Sequence, residues 1–434
     1  MKVLILNYYW PPSGGSVVQR WLTFSRYLPE NGITPVILTI DELSATYPAT
    51  DRTLIDRIPK ELKVYKTGSK ELFWIYKKFI GKGKVPGAAF ANESDPNFLQ
   101  KISRFIRGNF FIPDPRIGWN KIALPEAITI IEKEKIDVII TSGPPHSTHL
   151  MGLKLKERLN IKWIADFHDV WTDIIYYDKF YKTSWAKSKD KALERKILKK
   201  SDAVLTVGKK YKETLLSKLS EPEPEKFHLV SMGYDNEIFD KMVSSPPQNE
   251  FIITYAGTIA NFYEPEAFIL ALKKVKEQNP NVKLKLRFVG ILAETIKKFI
   301  LSSGLESILE ETGYVSHHDS VKYLFNSSVL LLINPVVKNE DMVIPGKIYE
   351  YLAAKKPIIN ITKRTSDIAR IIKEARAGET FERNMGNDLT EHLNLLIKRW
   401  NENKDLDLPK DNNYYRQFSR KEETKILAKV IKEL

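Results

Sequence analysis

The sequence predicts an α/β protein built from two Rossmann-like, doubly wound domains that face each other across a cleft. Three observations predict it. Short apolar runs with the length of buried parallel strands, such as Lys2–Leu6 and Val329–Ile333, alternate with stretches of helical spacing. The alternation breaks once, over GYDNEIFDKMVSSPPQNE at 233–250, and then begins again. A chain of 434 residues is also too long for one comfortable core.

The first series opens on the strand Lys2–Leu6, a loop Asn7–Ser16 rich in Tyr, Trp, Pro and Gly, and a helix over Val17–Leu28. Gly14 and Gly15 sit where the loop turns into that helix. Paired glycines there let a backbone approach a ligand closely, although the string is not GxGxxG and would serve a tight turn equally well. Strands at Pro35–Thr39 and Leu62–Tyr65 follow, and the alternation then lapses until Trp119. From there come a helix to Lys133, a strand at Asp137–Thr141, the loop SGPPHS, a helix over Thr148–Leu159, a strand at Lys162–Asp166 and the loop FHDVWTD. Residues 185–200 are helical, Asp202–Val207 is a strand and Lys209–Leu219 a helix.

The second series has strands at Ile252–Ala256 and Lys283–Val289, the second ending in Gly290, with helices over Glu264–Lys276 and Ile296–Leu301. After the strand Val329–Ile333 the segment PGKIYEYLAAKKPII, 345–359, opens with residues that start a helix, so Lys347 and Glu350 fall in its first turn. Its amino end meets the carboxyl edge of the sheet, where ligands bind. Free amides and Lys347 favour a phosphate there, and Glu350 can accept two hydrogen bonds from a ribose diol. The expected division is 1–235, with a basic amphipathic insert at about 67–118, then 250–412, then a final helix over 413–434.

Charge narrows the partners. The net charge is +14, from 68 basic and 54 acidic residues, and the stretch 60–110 alone holds 11 basic and 4 acidic residues. Within it Phe98, Ile102, Phe105, Ile106 and Phe110 recur at helical spacing, with Lys101, Arg104 and Arg107 on the other side. Such a stripe suits the interface plane of an anionic bilayer, and equally a surface helix packed on its own domain. No helix-turn-helix, zinc-ligand or RNP-like pattern accompanies the charge, so nucleic acid is not the expected partner. No apolar run approaches a membrane span, and the absence of cysteine removes disulfide and thiolate chemistry. The expected location is the cytoplasm, peripheral to the inner face of the plasma membrane.

Among the loops, His168 and Asp169 directly follow a strand and form the most reactive-looking pair, able to bind a sugar hydroxyl or exchange a proton. His146 lies in a loop stiffened by Pro144 and Pro145, with Ser147 placed to cap the next helix. Asp405-Leu406-Asp407 spells a DxD string but lies in a polar surface connection. His317-His318-Asp319 fits a helix cap better than a metal cluster. No GxSxG, Walker A or paired-cysteine motif occurs, which removes support for nucleophilic hydrolysis, P-loop phosphoryl transfer and structural zinc.

Taken together, NYYWPPSGGSVVQRWLTFSRYLPENG, FIPDPRIGW, TSGPPHSTH, IADFHDVWTD, YAGT and PGKIYEYLAAKKPI resemble glycosyltransferase family 4, retaining sugar transferases of the GT-B fold, along nearly the whole chain. The resemblance implies transfer of a sugar from a nucleotide-diphosphate sugar to a glycan or lipid-linked acceptor in surface polysaccharide synthesis, with no metal or other cofactor. It implies that Gly14, Gly15, Gly257, Thr258, Gly346 and Lys347 meet the donor, with Arg287 assisting at the diphosphate. His168 matches the histidine near the transferred sugar and Glu350 the second glutamate of E-x7-E, while His146 and Asp169 fall beside the acceptor. Two departures stand out. Met342 occupies the first glutamate's position, and the loop after Tyr255-Ala256-Gly257 lacks the family's Arg and Lys. The rival readings are a nucleotide-sugar epimerase of the same fold and a non-catalytic sugar-nucleotide-binding protein.

Overall fold

A computed structural model describes residues 1–69, 98–174, 176–245, 247–409 and 411–434. Backbone contacts divide them into two compact units, Met1–Met232 with Arg420–Leu434, and Gly233–Ser419. In the first unit, β1 (Lys2–Leu6), β2 (Thr34–Ile40), β3 (Lys63–Thr67), β4 (Val138–Gly143), β5 (Lys162–Phe167), β6 (Ala203–Thr206) and β7 (Phe227–Leu229) form one parallel sheet. Its order is β3-β2-β1-β4-β5-β6-β7. Val3, Leu4, Ile5 and Leu6 are all fully buried, as a strand covered on both faces requires. The winding direction reverses between β1 and β4. A crevice therefore opens at their carboxyl ends, flanked by the loops that carry Gly14, Gly15 and His146.

The final helix, Arg420–Lys432, belongs to this unit. Its Leu427, Ala428, Val430 and Ile431 join Val18, Trp21 and Leu22 of helix Ser16–Tyr27 in one core. Each fully buried aliphatic side chain of this kind contributes about 1.5–3 kcal/mol. Arg420 Nε donates to Met232 O at 3.2 Å, which ties the helix start to the point where the chain leaves the unit.

In the second unit, β8 (Phe251–Ala256), β9 (Leu284–Val289), β10 (Leu309–Gly313), β11 (Val329–Ile333), β12 (Ile358–Ile361) and β13 (Gly378–Phe381) form a parallel sheet of order β10-β9-β8-β11-β12-β13. Here the reversal falls between β8 and β11, so the loops after those strands flank the crevice. They carry Gly257, Thr258, Gly346 and Lys347. The stretch expected as a linker is packed at its start: it includes helix Asn236–Phe239, and Phe239 lies 5.9 Å from Phe325, ring to ring.

Residues 70–97 of the expected insert lie outside the described residues. Helix Phe98–Phe110 turns its apolar stripe outward: Phe98 and Phe110 are each 75% exposed, and Leu99, Ile102, Phe105 and Ile106 are exposed beside them. This corrects the alternative in which the stripe packs on its own domain. It also corrects the place of the arginines. Arg104 is only 6% exposed, and Arg107 lies over the Phe180 ring at 5.0 Å. The helix docks through its small and polar side instead. A Cβ on Gly108 would come within 2.5 Å of Phe180 O, and Asn109 donates to Tyr181 O at 3.2 Å while accepting from Thr183 N at 2.7 Å. Among the described residues no helix is long and apolar enough to cross a membrane.

Candidate functional site

In the second unit the chain leaves β11, makes a turn at Glu340–Met342 and enters helix Lys347–Ala353 behind Gly346. The helix is fixed by Tyr351, whose hydroxyl accepts from Ala256 N at 2.8 Å and donates to Leu331 O at 3.2 Å. Lys347 is thereby held at the end of β8. Its Nζ lies 3.9 Å from the centroid of the Tyr255 ring, and a Cβ on Gly257 would come 3.0 Å from it. Gly257 has a φ of 110°, which glycine alone adopts readily, so the loop both bends and makes room here. No hydrogen-bond acceptor or carboxylate holds Lys347 among the described residues. Burial pushes its ammonium down to about 7, and Glu350 pulls it part of the way back. A desolvated cation with an aromatic ring on one side and no carboxylate in contact attracts an anion.

The helix itself has only seven residues and no side-chain cap. Lys347 therefore adds a full charge to the helix's amino end at this edge. Thr258 contributes its carbonyl, which accepts from Tyr255 Oη at 2.9 Å and keeps that ring in position.

Glu350 is half-buried, and its Oε1 lies 2.8 Å from His317 Nε2. His317 begins helix His317–Phe325, whose cap is Ser316, accepting from Asp319 N at 3.1 Å. The cap thus lies one residue before the 317–319 cluster, and His317 is a partner of Glu350 that the sequence reading missed. The only signal was its position directly after a strand and turn. Met342, at the place of the family's first glutamate, is buried. Glu340 does not stand in for it, because it accepts from Thr362 Oγ1 and Arg383 Nη1, each at 2.9 Å. Arg287 is buried on β9 with its Nε 3.1 Å from Glu310 and its guanidinium 5.0 Å over Tyr323. Its contacts reach neither Lys347 nor Glu350.

In the first unit, Gly14 N donates to Ala49 O at 3.0 Å, and Gly15, with φ 117°, opens helix Ser16–Tyr27 without a side-chain cap. Behind them lies a buried polar network. Arg20 Nη1 donates to both Asp166 oxygens, at 3.1 and 2.9 Å, and its other nitrogens bond Ser231 O and Val230 O. Trp21 Nε1 donates to Ser142 Oγ at 2.8 Å, and Ser142 donates to Asp166 at 3.1 Å. His168 turns its Nδ1 to this network, 3.5 Å from Ser142 Oγ and 3.7 Å from Asp166 Oδ2. Its Nε2 makes no hydrogen bond among the described residues. Burial raises the Asp166 carboxyl, but Arg20 and His168 outweigh it and hold the group well below the usual range.

Asp169 is half-buried with no hydrogen-bond partner among the described residues, and desolvation raises it. His146 is 7% exposed and stacks on Trp171 at 5.1 Å with the rings 2° from parallel. Neither of its ring nitrogens has a hydrogen-bond partner among the described residues, and burial pushes the imidazole well below its ordinary value. A charge on His149 or His168 disfavours charge on His146, and a charge on His168 disfavours charge on His149.

Two family descriptions match the chain: Glycosyltransferase Family 4 over residues 87–238 and Glycosyl transferases group 1 over residues 236–411. A probable glycosyltransferase of Pseudomonas aeruginosa, WbjE, is 23% identical over 255 residues, covering 56% of this chain and 61% of that protein. The chain thus spans about three-fifths of the length of this relative. A glycosyltransferase structure from Rickettsia africae ESF-5 superposes with a TM-score of 0.65 at 16% identity, covering 100% of this chain and 98% of that one. The Anabaena protein HepE in complex with UDP-glucose gives 0.61 at 12%, covering 100% of both chains. The lipopolysaccharide outer core galactosyltransferase WaaB gives 0.61 at 13%, covering 100% of this chain and 98% of that one. At these identities the likenesses are of fold.

Proposed function

The chain belongs to glycosyltransferase family 4 with the GT-B fold, and from that premise we propose that it moves a sugar from a nucleotide-diphosphate sugar to a glycan or lipid-linked acceptor, with retained configuration, in surface polysaccharide synthesis. The observation that carries this reading is Lys347, a desolvated amine that no hydrogen-bond acceptor or carboxylate holds among the described residues, at the reversal point of the second sheet. The donor diphosphate supplies the missing anion, its ribose diol binds Glu350, and Gly257 and Thr258 line the approach. As the bond from the anomeric carbon to the phosphate oxygen breaks, its electron pair passes to the diphosphate. Lys347 therefore stabilises the transition state more than the bound donor, and that difference accelerates the reaction. The acceptor hydroxyl attacks the same face and gives its proton to the departing phosphate oxygen, so the step needs no separate base and invokes no metal. In the first unit His168, oriented through Nδ1, offers Nε2 to a sugar hydroxyl.

The outward apolar face of helix Phe98–Phe110 supports a peripheral position on the cytoplasmic membrane face, which suits a lipid-linked acceptor. Incubating the protein with labelled nucleotide sugars, with and without membrane lipid, tests the reading. Label in a lipid or glycan product, with the donor's anomeric configuration, is the expected result. An epimerised nucleotide sugar formed without acceptor, or donor binding without turnover, would replace it with one of the rival activities.

A further inference from the structure

The sheet of the second unit ends on one side at β13, and among the described residues no strand pairs with its outer edge. On the inner side Ala377 O and Phe381 O accept from Ile358 N and Thr362 N, at 2.8 and 3.0 Å. The alternation of a strand therefore turns the N–H and C=O groups of Gly378 and Thr380 outward. Among the described side chains, Arg364 approaches this edge, with Nε 3.4 Å from Thr380 O. A groove of about 740 Å³ runs along it. One wall is the end of helix Asp367–Glu374 and the other is helix Gly386–Asn403. Residues 406–409 meet it near the start of β12, where Leu408 N donates to Lys355 O at 2.8 Å.

The two helices lie on opposite faces of the sheet. The chain advances one way from β11 through β12 to β13 and the other way from β8 through β9 to β10, so right-handed crossovers put helix Asp367–Glu374 across the sheet from helix Glu266–Gln278. Helix Gly386–Asn403 packs with the latter, its Leu393 and Trp400 in one core with Phe268 and Leu272. A strand added at this edge would thus show alternate side chains to the two helices. Both faces are basic. Lys373 and Arg376 stand at the end of one helix and Arg399 on the other, and all three are exposed. None of them pairs with a carboxylate among the described residues. Of the two acidic residues in the groove, Asp407 is taken by the buried Lys356, which leaves Glu379. A short, charged edge strand resists pairing with other chains. Here the excess charge has one sign, so it repels basic segments and admits acidic ones.

We propose that this groove binds an extended acidic segment of a partner protein, which joins the sheet as a strand beside β13, its amides bonding Gly378 and Thr380 and its carboxylates reaching Lys373 and Arg376 on one face and Arg399 on the other. Main-chain bonds supply affinity without regard to sequence, and the cations select the charge. The four residues of β13 span about 13 Å, room for roughly four to six residues of the guest. A second copy of this chain is a poor guest, because its net charge is +14. β13 lies two strands beyond β11, away from the reversal that flanks Lys347, so the inference stands apart from the transferase reading.

The test titrates the full chain into a capped, fluorescein-labelled decapeptide of alternating glutamate and threonine, followed by fluorescence anisotropy at physiological ionic strength. The peptide should bind saturably and slow hydrogen exchange at the amides of Gly378 and Thr380, and its counterpart with lysine in place of glutamate should not bind. Lys373→Glu combined with Arg376→Glu should weaken it about tenfold or more, and Arg399→Glu by a comparable factor. Circular dichroism of these variants should match that of the wild type, which shows that the fold survives. Methylating alternate peptide nitrogens keeps every charge and removes the strand hydrogen bonds, so that peptide should also bind about tenfold more weakly or worse. No saturable binding, equal binding of the methylated peptide, or unchanged affinity in the charge-reversed variants would each overturn the proposal. Tighter binding of oligothymidylate, lost in the same variants, would overturn it in favour of a nucleic-acid surface. Failure of sugar transfer would leave this result untouched.

Discussion

Arg20 Nη1 lies 2.9 Å from Asp166 Oδ2, and both side chains are completely buried. Removing one partner of such a pair strands the other charge, so Asp166→Ala should lower stability by about 3–5 kcal/mol in urea unfolding. The folded value of Asp166 lies below its ordinary 3.8, so its contribution is present above that value and is lost as pH falls through the depressed one. The variant should therefore lose less stability on acidification than the wild type.

Lys347 gives a prediction of opposite kind. Its folded value of about 7 lies below the ordinary 10.5, so between those values the unfolded chain holds more protons and stability rises with pH. Lys347→Met should lack that rise and unfold at a higher temperature at pH 7. The same variant should bind its nucleoside diphosphate about 10- to 100-fold more weakly. Calorimetry of the wild type at pH 8, in buffers of different ionisation enthalpy, should show proton uptake on binding, because the anion recharges the lysine.

The contact of 2.8 Å between His317 Nε2 and Glu350 Oε1 predicts that the histidine orients the carboxylate. Glu350→Ala should weaken donor binding about 10- to 100-fold, and His317→Ala by a smaller factor. Against the corresponding 2′-deoxynucleotide, which lacks half of the diol, His317→Ala should show a reduced penalty. Equal penalties for both nucleotides would remove the positioning role.

Glu423 on the final helix accepts from Ser231 N at 2.9 Å and also from Ser231 Oγ. Burial pushes its carboxyl up to about 7 from 4.5, against the hydrogen bonds from Ser231 and the charge of Arg20. Between those values the folded state holds the extra proton, so stability falls as pH rises through that window. Glu423→Gln should flatten this slope in chemical unfolding curves taken from pH 5 to pH 8.

The outward stripe of helix Phe98–Phe110 predicts sedimentation with phosphatidylglycerol vesicles. Phe98→Ser combined with Phe110→Ser removes two residues that are each 75% exposed, so the melting temperature should hold while vesicle binding drops. Undiminished binding in that variant would move the membrane contact elsewhere.

The interior of both sheets was legible because strands covered on both faces are continuously apolar. Val329–Ile333 has the same bounds in sequence and structure, and β1 likewise. The strands missed, β7, β10 and β13, lie at sheet edges, where FHL is only three residues long and LEETG and GETF carry exposed glutamates, so no apolar run announces them. Of the site, Lys347 and Gly257 could be read from strand ends, and the structure brings them within contact. His317 could not, because its partner lies 33 residues later and on a different element. The Arg20–Asp166 pair, 146 residues apart, was hidden for the same reason.

The first unit is closed by residues 420–434, whereas the second is continuous from 233 to 419. During synthesis from the amino end, the later-made unit therefore has its whole sequence before the earlier one does. Until the last turns emerge, Val18, Trp21 and Leu22 lack part of their covering, and the nascent amino-terminal half must wait with an open hydrophobic flank.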